Sequence, residues 1–100
     1  MNTRGVALVT GGGRGIGLGI SRCLAAEGFD LAIVGRSPEQ DRQEVLRELR
    51  LTGGRVRYCP GNIAQASDRS GILKRVKEEF RSVHVLVNNA GVAPRKRLDL

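Results

Sequence analysis

The chain is poor in aromatic residues. Phe29, Tyr58 and Phe80 are the only three, and there is no tryptophan. Single-stranded nucleic acid is held by stacking bases on aromatic rings, so the sequence has little with which to do it. Cysteine is as scarce. Cys23 and Cys59 stand far apart with no second pair, which excludes a disulfide framework and any Cys-x-x-Cys zinc or redox motif. Both read as buried, reduced thiols. No apolar run approaches the roughly 18 residues of a membrane span. The apolar stretch within MNTRGVALVTGG is too short for a secretory segment and runs straight into glycines. A cytoplasmic protein is expected, with neither membrane nor nucleic acid as partner. Acidic residues are outnumbered, 10 Asp and Glu against 17 Lys and Arg, which leaves a net charge of +7. The basic residues are scattered apart from Arg95-Lys96-Arg97. They read as a solvated face with a few anion-binding arginines.

What is present suits one globular domain. The chain has 100 residues, 40% of them hydrophobic, and a chain of this size buries roughly two-thirds of its unfolded surface. Val6-Ala7-Leu8-Val9 is a short apolar run bounded by glycines, a buried strand. From Gly15 the pattern turns helical, with Ile16, Ile20 and Leu24 as its stripe and Gly28 as its stop. Leu31-Ala32-Ile33-Val34 is a second strand. Ser37-Pro38-Glu39-Gln40 predicts the next helix start, with Ser37 as N-cap and Gln40 completing a capping box. Val45, Leu46 and Leu49 give that helix an apolar face, and Gly53-Gly54 ends it. Val56 and Tyr58 belong to a third strand that stops at Pro60-Gly61. Ile72, Leu73, Val76 and Phe80 mark a third helix from about Asp68 to Arg81. Val83 to Val87 form a fourth strand, followed by Asn88-Asn89-Ala90-Gly91. Apolar strands alternating with amphipathic helices predict an α/β fold, a parallel sheet with right-handed crossovers.

The glycines of VTGGGRGIGLG, residues 9–19, stand between the first strand and the first helix. Backbone N–H groups at such a helix start attract phosphate. A P-loop needs a lysine after its last glycine; Gly12 and Gly17 have the separation, but Leu18 follows. The spacing G-x-G-x-x-G fails as well. The pattern that fits is T-G-x-x-x-G-x-G, on Thr10, Gly11, Gly15 and Gly17. Gly11 can make the tight turn, Gly15 leaves room for a pyrophosphate, and Gly17 lets the helix pack close to the strand. Gly12 and Gly13 fill variable positions and add space, and Gly19 serves packing.

The glycine pattern, with Asn-Asn-Ala-Gly after the fourth strand, resembles the short-chain dehydrogenase/reductase family of the classical type. The pattern is nearest to members of the 3-oxoacyl-[acyl-carrier-protein] reductase kind. The resemblance runs from Val6 to Gly91 and implies a Rossmann-type doubly wound parallel sheet of strand order 3-2-1-4. Residues 1–100 would be the NADP-binding half-domain, and the catalytic half would lie outside this chain.

Cofactor choice rests on what the second strand lacks. Dinucleotide folds place an acid at its end, about 20 residues past the glycines, to bind the ribose hydroxyls of NAD. Here the strand ends Val34-Gly35-Arg36-Ser37. Gly35 stands in the acid's place, and Asp30 lies at the opposite end. A guanidinium can bind a 2′-phosphate with two parallel hydrogen bonds. By resemblance, Arg14 and Arg36 flank that phosphate, so the cofactor is NADP(H). The family also has an adenine contact after the third strand, here Asn62 and Ile63. Asn88 would mainly tie the sheet. The full set implied around the cofactor is Gly11, Gly13, Arg14, Gly15, Ile16, Gly17, Arg36, Ser37, Asn62, Ile63, Asn89, Ala90 and Gly91, with no metal. His84 lies at the wrong end of its strand for catalysis.

The family's chemistry is hydride transfer between nicotinamide and a carbonyl, aided by a serine and a Tyr-x-x-x-Lys pair. The single tyrosine, Tyr58, has Asn62 four residues on, so no catalytic residue can be placed. The chain is expected to be the inactive front half of an NADPH-dependent reductase that is a homodimer or homotetramer when intact. Its substrate would be a small or acyl-carrier-bound carbonyl compound, with 3-oxoacyl-[acyl-carrier-protein] ahead of sugars, polyols and other carbonyls. A non-catalytic NADP-binding module is the alternative.

Overall fold

Four apolar runs form strands, and three amphipathic segments between them form helices. The structure, a computed structural model of the chain, describes residues 4–89. In chain order the elements are β1 (Val6–Thr10), α1 (Gly15–Ala26), β2 (Asp30–Gly35), α2 (Gln43–Arg50), β3 (Val56–Pro60), α3 (Ala66–Phe80) and β4 (Val85–Asn88). All pairings are parallel and the strand order is β3-β2-β1-β4, as expected. Parallel neighbours need crossover connections, and helices supply them. No helix among the described residues is long and apolar enough to cross a membrane.

Side chains of a strand alternate between faces, so the sheet has two cores. Val6, Leu8, Ala32, Val34 and Cys59 face α3 and pack on Ile72, Val76 and Phe80. Ala7, Leu31, Ile33, Val56 and Tyr58 face the other way and pack on Ala25, Leu46 and Leu49 of α1 and α2. The β4 edge is thinly covered. Leu86 pairs in register with Leu8, yet Leu86 is exposed while Leu8 is buried. One helix does not span the width of four strands.

Several sequence expectations are corrected. Of the predicted α1 stripe Ile16, Ile20 and Leu24, only Leu24 packs on the core, and it is half-buried. Gly17, Ser21 and Ala25 are buried instead, and Ile16 is 77% exposed. The helix lies so near the sheet that small residues form its central line of contact, with Leu18 and Leu24 packing at the flanks. Gly19 does no packing, since a Cβ there would meet nothing within 4 Å. The segment after Pro38 opens as a 3-10 turn, Glu39–Arg42, before α2 begins, and neither start has a side-chain cap. The Ser37 hydroxyl instead accepts a hydrogen bond from Arg42 Nη2 at 3.0 Å. Leu73 is exposed, on the outer side of α3. Cys23 is exposed and only Cys59 is buried.

The end of the sheet away from the glycines is fastened by polar residues. Asp30 is buried, accepts the Arg55 N–H at 2.8 Å and pairs with the Arg55 guanidinium at 3.6 Å. That guanidinium lies over the Phe80 ring, 4.7 Å from its centroid, and so ties the end of α3 to β2. His84 Nδ1 accepts the Val6 N–H at 3.0 Å. This is a structural role, at the sheet end opposite the glycine loop.

The two thiols should differ sharply in reactivity. Burial pushes the Cys59 thiol up from its ordinary range, which depletes the reactive thiolate. Peptide mapping after brief iodoacetamide treatment should find Cys23 alkylated and Cys59 protected until the protein is unfolded. Equal labelling would contradict the packing of α3 on β3.

Candidate functional site

The carboxyl ends of the four strands open into one cleft of about 800 Å³, within the size range of small-molecule sites. Its floor is the turn after β1. The Gly11 N–H donates to the Val34 carbonyl at 2.7 Å, which carries the chain past the strand end before it turns. Gly11 and Gly15 take positive φ, +65° and +58°, a region that side chains rarely adopt. Space above Gly15 is open.

Gly17 does a different job. A Cβ there would run into the Gly11 carbonyl oxygen, so α1 meets the loop main chain to main chain. Gly12 is equally confined: a Cβ would stand 2.8 Å from Ser21 Oγ and 2.9 Å from Val9 Cγ1. It is therefore not a spacer, contrary to the sequence reading. Ser21 Oγ donates to the Gly12 carbonyl at 3.0 Å and locks the loop onto α1. The first turn of α1 contains no acidic residue, and Arg14 at its start makes no capping bond. The unpaired N–H groups of that turn keep their attraction for an anion.

The wall beside the floor comes from β4. Asn89 N–H donates to Thr10 Oγ1 at 2.8 Å, and Asn89 Nδ2 donates to the Gly11 carbonyl at 3.4 Å. Thr10 Oγ1 also lies 3.4 Å from Asn88 Oδ1. The first and fourth strands are thus joined where the strand order reverses, the usual place for a ligand in open α/β sheets. Asn89 ties the sheet as Asn88 does, besides lining the cleft.

The opposite wall is formed by the ends of β2 and β3. Arg36 and Ser37 line it, as do Asn62 and Ile63. Asn62 Oδ1 accepts the Ala64 N–H at 3.0 Å, and Asp68 accepts the Asn62 N–H at 2.8 Å, so this asparagine shapes its own turn. Among the lining residues that escaped the sequence reading are Arg42, Tyr58 and Arg69. Arg42 lies along the loop, and a Cβ on Gly13 would be 3.2 Å from its Cδ and Nε. Tyr58 donates its hydroxyl to the Ser37 carbonyl at 2.8 Å, and burial pushes its phenol up, so that donor persists across the physiological range. The register alone signals Tyr58, because it pairs with Ile33 and Ile33 shares a face with Gly35. Arg42 and Arg69 left no such signal.

Of the residues expected at the site, Gly11, Gly13, Arg14, Gly15, Arg36, Ser37, Asn62, Ile63 and Asn89 line the cleft. Ile16 and Gly17 do not. Gly17 is buried in packing, and Ile16 sits about 100° round the helix from it, in the open. Ala90 and Gly91 lie outside the described residues. Among the described residues four arginines line the cleft, Arg14, Arg36, Arg42 and Arg69, and no aspartate or glutamate does.

The profile described as short chain dehydrogenase matches residues 5–99. The chain belongs to the short-chain dehydrogenase family. It is 41% identical over 87 residues to the short-chain reductase protein NovJ of Streptomyces niveus, which covers 87% of this chain and 33% of NovJ. Among solved structures it is similar to a 3-oxoacyl-[acyl-carrier protein] reductase from Brucella melitensis in complex with NAD. The TM-score is 0.83 and the identity 44%, over 97% of this chain and 37% of that one. It is also similar to L-sorbose reductase from Gluconobacter frateurii complexed with NADPH and L-sorbose, with a TM-score of 0.84 and 33% identity over 98% of this chain and 38% of the other. The chain spans about a third of the length of the curated relatives it matches. Of these two relatives, one is seen with NAD and the other with NADPH.

Gly17 offers a direct check on the site's construction. Gly17→Ala should lower stability by about 1–3 kcal/mol, the range for overpacking a tight contact, and should displace the loop. Thermal melting beside the unsubstituted protein measures it. An unchanged midpoint would mean that α1 does not approach β1 as described.

Proposed function

We propose that the chain is the cofactor-binding part of an NADP(H)-dependent carbonyl reductase. The observation that carries this reading is the charge of the cleft: among the described residues four arginines line it and no carboxylate does. The main chain at Gly13 and Gly15, with the first turn of α1, would hold the pyrophosphate. Arg14 and Arg36 would take the 2′-phosphate from either side. Among the described residues neither forms an ion pair with a carboxylate, so both charges are free for a ligand. Asn62 and Ile63 would border the adenine. Asn89, with Ala90 and Gly91 by family resemblance, would border the ribose and nicotinamide end. The cradle fits a dinucleotide, because Gly15 has open space above it and the cleft is large enough. When bound, the cofactor supplies a hydride to a carbonyl carbon. This chain's residues bind it, orient it and neutralise its phosphates.

For the substrate we favour a 3-oxoacyl group on acyl-carrier protein. Relatives bearing that name, from Staphylococcus aureus and Brucella melitensis, are 37% and 44% identical to this chain. The Brucella complex with NAD supports a second reading, in which the cofactor is NAD(H). The missing acid after β2 argues against it.

Cofactor titration followed by nicotinamide fluorescence decides between the two. The intact protein should bind NADPH more tightly than NADH by about tenfold or more, since each charge-assisted hydrogen bond is worth about 1.5–3 kcal/mol. Arg36→Asp should erase or reverse that preference. Equal affinities in the unsubstituted protein would rule out the 2′-phosphate assignment.

A further inference from the structure

The absence of an acid at Gly35 has a physical counterpart on the neighbouring strand. Gly35 and Ile33 project from the same face of β2, and Ile33 is in register with Tyr58 of β3. The Tyr58 side chain therefore runs up the sheet towards Gly35. A Cβ on Gly35 would stand 2.5 Å from Tyr58 Oη, 3.2 Å from Cζ and 3.3 Å from Cε1. Real side chains do not tolerate the first of these separations, and the phenol is not a loose end that can swing away. Tyr58 is buried, and its hydroxyl donates to the Ser37 carbonyl at 2.8 Å. Any side chain at residue 35 must break that bond, and the bond holds the turn that carries Arg36.

We propose that Tyr58 is a specificity-determining residue of this site: it fills the space in which an NAD-selecting carboxylate would lie and anchors the turn that presents Arg36 to a 2′-phosphate. The inference rests on the dinucleotide reading above and goes further in one respect. Cofactor choice would be written on two strands, and placing an acid at Gly35 alone would not reverse it. Ser37 is held from both sides, with Tyr58 on its carbonyl and Arg42 on its hydroxyl at 3.0 Å. The turn is therefore already in its binding form before a ligand arrives, which lowers the ordering cost of binding. Tyr58 acts through Gly35 and Ser37, so it is a positioning residue and not a catalytic one.

A double-mutant cycle in the intact protein tests this. Dissociation constants for NADPH and NADH are measured by fluorescence titration for the unsubstituted protein, Gly35→Asp, Tyr58→Val and Gly35→Asp/Tyr58→Val. Gly35→Asp alone should weaken NADPH strongly without improving NADH. The double variant should bind NADH about tenfold or more tightly than Gly35→Asp does, a coupling that sites acting independently lack. Tyr58→Phe and Gly35→Asp/Tyr58→Phe keep the ring and remove the closest atom, so they serve if the valine variants do not fold. They should show the same sign of coupling at smaller size. If Gly35→Asp alone gains NADH as fully as either double variant, Tyr58 is no barrier and the inference is overturned. If the unsubstituted protein binds neither nucleotide, the dinucleotide reading falls and takes the inference with it. A preference for NADPH that survives unchanged through every Tyr58 variant, with additive effects, overturns the inference alone.

Discussion

The approach of α1 to the end of β1 is the contact on which the rest of the molecule depends. Gly17 lies against the Gly11 carbonyl with no room for a side chain, and Ser21 bonds to Gly12 one turn later. Two consequences follow from this closeness. The buried face of α1 must be built from Gly17, Ser21 and Ala25, because larger side chains would lift the helix from the sheet. The loop above must also be bare main chain, because its atoms lie between helix and strand. One glycine loop serves the packing and, on the proposed reading, would also receive the anion. A helix start that is bare, uncapped and free of acids is at once a packing solution and a candidate phosphate receptor.

The cleft has two chemically distinct ends. At the loop, neutral main-chain dipoles face the ligand, and their attraction does not depend on the exact number of phosphates. At the β2 end, on the proposed reading, charge would do the selecting. Arg36 is exposed, so its attraction for a phosphate is screened by salt. Its usefulness depends on a turn already held in place. Tyr58 and Arg42 supply that support through Ser37. The family's solved members hold NAD in one case and NADPH in another, which fits a common loop combined with a variable second end.

Much of this was legible in the residues. Strand order, parallel pairing and the placing of Gly11, Gly15 and Asn89 on one edge follow from apolar runs and motif spacing. Such signals are local, or are imposed by the rules of crossover connections. Three kinds of feature were not legible. The α1 stripe was misread because periodicity counts large apolar residues, whereas this interface selects small ones. The start of α2 was misread because Ser37 had the right type for a cap but was engaged by Arg42. The third kind was long-range: the meeting of Tyr58 with Gly35 depends on the β2–β3 register, and no short window of sequence contains it. Arg42 reaches Gly13 by a path of the side chain that only coordinates describe. The family resemblance identified positions such as Arg14 and Arg36, but did not point to the Tyr58 that meets Gly35.

The central claim is that guanidinium groups at the β2 end receive the adenosine 2′-phosphate. Phosphorus NMR of NADP+ bound to the intact protein tests it most directly, because the 2′-phosphate has its own resonance and a second pKa of about 6 when free. A phosphate between guanidiniums stays dianionic to lower pH, so its bound resonance must titrate at a depressed pKa, and Arg36→Ala must bring that pKa back up. A 2′-phosphate that titrates in the complex as it does in free solution, while the pyrophosphate signals shift, would contradict the account.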